Sequence, residues 1–275
     1  NRTAFVDSID RVGPLGLLSS LALALVGIGA TALQWRAVLG GLGVRFGVRD
    51  GARVFFVSQL GKYLPGSVWP IVVQVEAGRR RGAARPTVLA ANLVTVVLSL
   101  ATGAVLAGAL LPFSSPDALR RYWWALAALP LILVLAHPRT VPWLLDRVLR
   151  VLRRPPLGVA MSGAATARAI GWSLVSWVAL GLHVAVLVAA LGQPGWGVVA
   201  LSVGGTSLAV TAGVLLVPVP AGAGLREVVL GAVLSTALAP GQVIAVVVAS
   251  RVLLVTADLL LAAASALAAR RPGDA

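Results

Sequence analysis

From Thr87 to Pro112 the chain reads TVLAANLVTVVLSLATGAVLAGALLP, 26 residues without a charge. As a helix this run is about 39 Å long, more than the roughly 30 Å hydrocarbon core of a bilayer. Backbone N–H and C=O groups at that depth have no water to bond, so the run must satisfy them within itself, as a helix does. A membrane β-strand would alternate apolar and polar residues over about ten positions, and this run does not. Similar stretches recur, and the composition agrees: 59% of the residues are hydrophobic and only 12% are charged, against about 25% charged in soluble domains. The chain therefore reads as an all-α polytopic membrane protein, a single domain over residues 1–275. About six full spans are expected, near 13–33, 87–111, 122–136, 167–191, 197–217 and 243–268. Residues 1–12 are polar and short and suit an interfacial helix.

Two places resist this pattern. GKYLPGSVWP, Gly61 to Pro70, puts a lysine, two prolines and two glycines between apolar flanks. PVPAGAGLRE, Pro218 to Glu227, repeats the disruption, and the VVLGAVLSTAL that follows is too short to span alone. Non-helical backbone at membrane depth is tolerated where protein buries it or where it lines a wet cavity. Broken helix ends also present free N–H groups that suit an anion. The first break thus reads as part of a polar pocket, and the alternative is a short turn between two short helices outside the membrane.

Charge sets the orientation. Basic loops at 36–53, 79–85 and 139–154 belong in the cytoplasm by the positive-inside rule. The short loops at 112–121 and 192–196 belong outside, where Arg120 and Arg121 fit poorly. The stretch 54–77 has basic loops on both sides, so it enters from the cytoplasm and returns to it as a re-entrant hairpin. The last span ends inside at Arg270 and Arg271, so the segment 196–239 enters and leaves from the outside. Two broken hairpins from opposite faces are the mark of an inverted-repeat transporter. The stretch 141–154, with Leu144, Leu145, Val148, Leu149 and Leu152 at helical spacing among arginines, suits a helix lying on the membrane surface. Trp35, Trp123, Trp124, Trp143, Trp172 and Trp196 lie near span ends and read as an interfacial belt.

Several chemistries are disfavoured. The chain has no cysteine and two distant histidines, His137 and His183, so thiolate chemistry and a histidine-based metal centre are not expected, and no cofactor is expected. The net charge of +14, from 23 basic and 9 acidic residues, fits positive-inside topology and attraction to an anionic lipid surface. Nucleic-acid binding would need a soluble basic face with stacking aromatics. No Walker-type loop is present. The acids are scattered, without the paired carboxylates or the nucleophile and base that hydrolases and transferases need.

The candidate site residues are the polar ones at membrane depth. The first hairpin carries Gln59, Lys62, Gln74 and Glu76, with Pro65 and Gly66 at its tip. Gln59 and Lys62 share a face if the helix persists. The second break carries Pro220, Gly222, Gly224, Arg226 and Glu227, and the adjacent charges of the last two point to different faces. Arg251 and Asp258 lie about two turns apart on one face of the final span. Charge at this depth costs at least about 2.5 kcal/mol on insertion scales and turns inward. Arg251 and Asp258 read either as structural ion-pair partners of other helices or as the lining of a transport cavity. His183 reads as a helix-packing residue rather than a proton relay.

Three segments together, QWRAVLGGLGV, SQLGKYLPGSVWPIVVQVEAGRRRG and LLVPVPAGAGLREVVLGAVL, resemble the lysylphosphatidylglycerol synthase transmembrane-region family. This is the flippase-like domain of the multiple peptide resistance factor and its stand-alone relatives. The matching positions are Trp35 and Arg36, then Leu64-Pro65-Gly66, a basic residue around Arg79, and Pro220, Gly222, Gly224, Arg226 and Glu227. The residues after Leu-Pro-Gly, SVWPIVVQ, depart from the family's usual continuation. The family usually has a further span before the one at 13–33, which implies a longer natural N-terminus. The resemblance implies lipid handling without implying lipid synthesis, since no aminoacyl-transferase segment accompanies these residues.

The expected function is a lipid flippase in the cytoplasmic membrane, with the C-terminus inside. Its substrate would be an anionic phospholipid derivative or a polyprenyl-phosphate-linked sugar. Lys62, Arg36, Arg79 and Arg226 would meet phosphate, while Glu227, Glu76, Gln59 and Gln74 would meet polar headgroup atoms or counter the arginines. The alternatives are a membrane transferase using a lipid-linked donor, with Glu227 or Asp258 as its carboxylate, and a scaffold for a biosynthetic enzyme. Helix faces rich in Gly and Ala permit a homodimer and equally serve packing within one chain.

Overall fold

A computed structural model describes residues 2–64, 68–115, 117–120, 122–123, 147, 161–192, 194–215 and 224–268. The expected third span, most of the surface helix at 141–154, the hairpin-tip residues Pro65, Gly66, Pro220 and Gly222, and the arginines at 270 and 271 lie outside these. Among the described residues every regular element is helical.

The long helices are α1 (Arg2–Gly41), α4 (Arg85–Leu110), α5 (Gly163–Ala190), α6 (Trp196–Leu215) and α8 (Pro240–Ala268). Each is long and apolar enough to cross a membrane. Between them stand the short helices α2 (Val48–Gln59), α3 (Trp69–Arg79) and α7 (Leu225–Leu234). At 12, 11 and 10 residues, none spans a bilayer, since each is at most about 18 Å long.

Local chemistry sets the ends. Gly13, at φ 61° and ψ 172°, breaks α1 into a short first piece and a long span that opens on Pro14, a residue suited to the first helical turn. The first piece is not purely interfacial, because Ser8 and Val12 are buried. The span then runs on to Gly41, so Trp35 and Arg36 are helical rather than in a loop. Gly43, at φ 81°, follows its end as an αL glycine commonly does. The N-cap of α5 is Ser162, whose side chain accepts from the Ala165 N–H at 3.2 Å. Pro86 sits in the first turn of α4.

Close approach of backbones packs the long helices, as small residues do in membranes. A Cβ on Gly181 of α5 would lie 2.3 Å from Val203 Cα of α6. Polar side chains add cross-links. Ser20 Oγ of α1 lies 2.6 Å from His183 Nδ1 of α5, and His183 Nε2 lies 2.9 Å from Ser250 Oγ of α8. His183 is fully buried and ties three spans together, which is the packing role its sequence context suggests. Thr102 of α4 lies 2.6 Å from Ser173 Oγ and accepts from Trp177 Nε1 at 3.1 Å, both on α5.

Three apolar cores form among the described residues: one toward each end of the bundle, and a small one of Ala24, Leu254 and Ala257. Leu111, Leu187, Leu201, Leu230, Leu234 and Val246 belong to one end core. Trp35, Val38, Phe55, Phe56, Val88 and Ala262 belong to the other. Trp35 is buried there, its ring centroid 5.6 Å from those of Phe46 and Phe55. It is a core residue and not part of an interfacial belt. Trp123 and Trp196 are exposed, as a belt requires.

The described basic segments, 36–53 and 79–85, gather at one end. Arg81 pairs with Asp50 at 3.3 Å and stacks over Phe46. From that end α2 and α3 form a hairpin that reaches inward. The second hairpin, α6 and α7, comes from the opposite end. Gly204 abuts Leu111, and Thr211 abuts Gly103, so α6 runs antiparallel to α4. Its last residue, Leu215, therefore falls near the level of Ser99, about 20 Å short of the start of α4.

The Gly181 contact is open to test. Gly181→Val should force α5 and α6 apart and cost a few kcal/mol, at or above the usual 1–3 kcal/mol of overpacking. Thermal unfolding of the purified protein in detergent should show a lowered Tm, whereas Gly29→Ala, where a Cβ meets nothing, should leave it unchanged.

Candidate functional site

The helical break in the first hairpin decides what its tip presents. α2 ends at Gln59 and tightens into a 3₁₀ turn over Leu60–Tyr63, after which Leu64 is extended. The α-helix thus does not persist from Gln59 to Lys62, and the two do not share an α-helical face. Gln59 is half-buried. Gly61 lets the two arms close, since a Cβ there would lie 2.8 Å from Trp69 Cβ. The turn aims Lys62 and Tyr63 across the bundle at α8. Lys62 Nζ lies 2.6 Å from Asp258 Oδ2, and the Tyr63 hydroxyl donates to the same oxygen at 2.6 Å. Asp258 is 3% exposed, and its other oxygen, Oδ1, has no partner.

The second hairpin delivers α7 to the same helix. Gly224 caps α7 at φ 91°, and its N–H donates to Glu227 Oε2 at 2.7 Å. The other carboxylate oxygen, Oε1, faces Arg251 of α8 at 3.5 Å. Arg251 also lies over the Tyr63 ring, 5.8 Å from its centroid, and Lys62 Nζ lies 5.4 Å from it. Tyr63 thus sits between the two ion pairs. Arg226 is half-buried and within electrostatic range of Tyr63, Glu227, Arg251, Asp258 and Lys62. Among the described residues no carboxylate pairs with it directly.

The result is one cluster of Lys62, Tyr63, Arg226, Glu227, Arg251 and Asp258, built where two hairpin tips meet α8. Along α8, Val246 and Ala249 belong to one end core and Ala262 to the other, and Arg251 and Asp258 fall between them, on either side of Leu254 and Ala257 of the small third core. Among the described residues three cations face two carboxylates, which leaves one positive charge in excess, and Arg226 is the cation that no carboxylate there pairs with directly. A guanidinium in this position can take a phosphate in the bidentate geometry that suits both groups. Asp258 Oδ1 can accept from a hydroxyl or an ammonium.

The remaining sequence candidates stand elsewhere. Gln74 is buried inside the hairpin, where its Nε2 donates to Ser58 Oγ at 2.8 Å and clamps α3 to α2. Glu76 and Arg79 lie at the basic end, exposed and paired with each other at 2.7 Å, with Arg80 and Arg85 also near Glu76. Hydrogen bonds from Arg79, then from Arg80, hold the Glu76 carboxyl well below the ordinary carboxylate range. That network stays charged at neutral pH and is lost only as pH falls through the lowered value. Arg36 donates to the Phe46 carbonyl at 3.4 Å, at the basic end of α1. The structure does not bring Arg36, Glu76, Arg79 or Gln74 into the cluster on α8. Tyr63 is the member that residue-type reasoning missed, although its place beside the lysine in the break was a usable signal.

A buried ion pair holds its shape only while both partners remain. Asp258→Ala should destabilise the protein by about 3 kcal/mol, the usual result of leaving a buried charge unpaired. Lys62→Met with Asp258→Leu should recover most of that loss. Tm values of Lys62→Met, Asp258→Leu and the double variant form the cycle that checks this.

No curated protein matches the chain. A family model, described as the lysylphosphatidylglycerol synthase TM region, matches residues 2–262. The chain belongs to the lysylphosphatidylglycerol synthase transmembrane-region family.

Proposed function

We propose that this chain is a lipid flippase, moving a lipid with a phosphate-bearing headgroup across the cytoplasmic membrane. The observation that carries the reading is Arg226, a guanidinium that among the described residues has no direct carboxylate partner, where two broken hairpins meet. Family membership supports a lipid-related role in a multi-pass membrane protein. The substrate phosphate binds Arg226 and draws on Lys62, which exchanges its contact with Asp258 for one with the headgroup. Asp258 Oδ1 accepts from a hydroxyl or amine of the same headgroup, which favours a polyol, sugar or amino-acylated phosphate over a bare one.

Tight binding alone does not move a lipid, because a site must also release it. Here the cations already have internal partners, Asp258 for Lys62 and Glu227 for Arg251. Those carboxylates take the cations back when the headgroup leaves. The two hairpins act as an inverted pair, one opening the site to each leaflet in turn, with the basic end in the cytoplasm. The reading is transport and not chemistry: both carboxylates of the cluster are engaged by cations, Asp258 by Lys62 and Glu227 by Arg251.

Proteoliposomes carrying labelled phosphatidylglycerol, or a labelled polyprenyl-phosphate sugar in a parallel set, test this. Wild-type protein should move at least one of them between leaflets. Arg226→Ala and Lys62→Ala should each slow that movement about 10-fold or more, the effect of losing one charge-assisted hydrogen bond of about 1.5–3 kcal/mol. Folded wild-type protein that moves neither lipid contradicts the reading, and a covalently new lipid product would indicate a transferase instead.

A further inference from the structure

A second cationic site lies at the basic end of the bundle, away from the cluster on α8. The C-terminal turns of α1 and the first turns of α5 enclose a cleft of about 550 Å³. Arg36, Arg45 and Arg168 line it, and Gly40, Gly41 and Ala165 form its floor. Small residues keep that floor open. Gly40 has nothing within 4 Å of where a Cβ would stand, while a Cβ on Gly41 would lie 3.0 Å from Met161 Cε and from Ala165 Cβ, so the two walls meet closely there.

Among the described residues no carboxylate pairs with Arg36, Arg45 or Arg168. Arg79, Arg80 and Arg85 gather on Glu76, and Arg81 on Asp50. Arg36 spends one N–H on the Phe46 carbonyl and is pinned by its stem, with Cδ 3.2 Å from the Cβ position of Gly51. Among the described residues no other side chain or carbonyl is hydrogen-bonded to the remaining donors of its five. No hydrogen bond or carboxylate engages Arg45 or Arg168 among the described residues. The first turn of α5 adds to the field: Ser162 Oγ takes the Ala165 N–H, and the N–H groups of Gly163 and Ala164, ahead of it, have no intrahelical acceptor. Like charges repel when nothing lies between them, so three arginines around one concavity suit a ligand of matching charge.

We propose that this cleft binds a phosphate ester, with Arg36, Arg45 and Arg168 as its ligands. A carboxylate would neutralise one of the three guanidiniums, whereas a phosphomonoester or diphosphate brings about two charges or more and several acceptor oxygens. The volume exceeds that of a phosphate group and falls within the usual range for small-molecule sites, about 300–1,000 Å³, so it also takes the glycerol or sugar attached to the phosphate. The site does not depend on the flippase reading. Its ligand is either a headgroup from the adjoining leaflet or a soluble phosphate ester.

The experiment uses the full chain, purified in detergent for one arm and reconstituted in nanodiscs for the other. Inorganic pyrophosphate is titrated calorimetrically in the first arm. In the second, a fluorophore placed at Gly40 through Gly40→Cys, in a chain that has no native cysteine, reports binding as phosphatidic acid replaces phosphatidylcholine. The double variant Arg45→Gln/Arg168→Gln removes two exposed side chains that make no hydrogen bond or ion pair among the described residues. Binding in either arm should saturate, weaken about 10-fold or more in the double variant, and stay unchanged in Arg226→Ala. Saturation by pyrophosphate identifies a soluble ester as a competent ligand, and a response confined to phosphatidic acid identifies a lipid headgroup. Absence of saturable binding in both arms by folded protein overturns the proposal. So does an affinity that the double variant leaves intact, or one that Arg226→Ala abolishes.

Discussion

The contact between Lys62 and Asp258, 2.6 Å long and joining the tip of one hairpin to the middle of α8, is the constraint around which the rest is arranged. Neither charge would be stable alone at that depth. Removing an ion from water costs several kcal/mol, and mutual attraction offsets this only with good geometry and further hydrogen bonds. Tyr63 supplies one such bond, to the same carboxylate oxygen. The pair also requires that the hairpin stop short of crossing, so that its tip and not its side meets α8. The break at Gly61 to Pro70, costly as local helix chemistry, is what makes that meeting feasible.

The second hairpin solves the same problem from the other end. α7 begins at a glycine with positive φ, which frees the chain to turn and lets Glu227 bind its own cap N–H. One carboxylate thus serves the helix end and Arg251 together. The long helices α1, α4, α5 and α8 form the frame, held by glycine contacts and buried hydroxyl and imidazole bonds that need no charge. Charge is therefore concentrated where the hairpins meet and at the basic end, and apolar cores separate these levels.

Much of this was legible in the residues. Continuous apolar runs announced the spans, and Lys62, Arg226, Glu227, Arg251 and Asp258 stood out as charges that lipid would not tolerate. The two-turn spacing of Arg251 and Asp258 put them on one face. Their partners were not legible, because Lys62 and Asp258 are 196 positions apart and the pairing is set by how hairpins pack. Residue type also misled in places. Glu76 and Arg79 look like site residues beside an apolar hairpin, yet they are three positions apart on a helix and satisfy each other at the surface. Trp35 looks like an interfacial anchor, yet α1 continues past it and buries it between Phe46 and Phe55. Arg36 follows from the same extension: one more turn of helix carries it away from the hairpin tips and into the cleft beside α5.

The central claim is that both hairpin tips contact one headgroup at the same time. Photocrosslinking with a phosphatidylglycerol analogue bearing a diazirine on its headgroup, followed by peptide mapping, addresses it directly. The account predicts adducts in both 58–64 and 224–230 on reconstituted wild-type protein, and loss of both sets together in Arg226→Ala. Adducts confined to the lipid-facing surfaces of the long helices, or labelling of one tip that persists without Arg226, would contradict it.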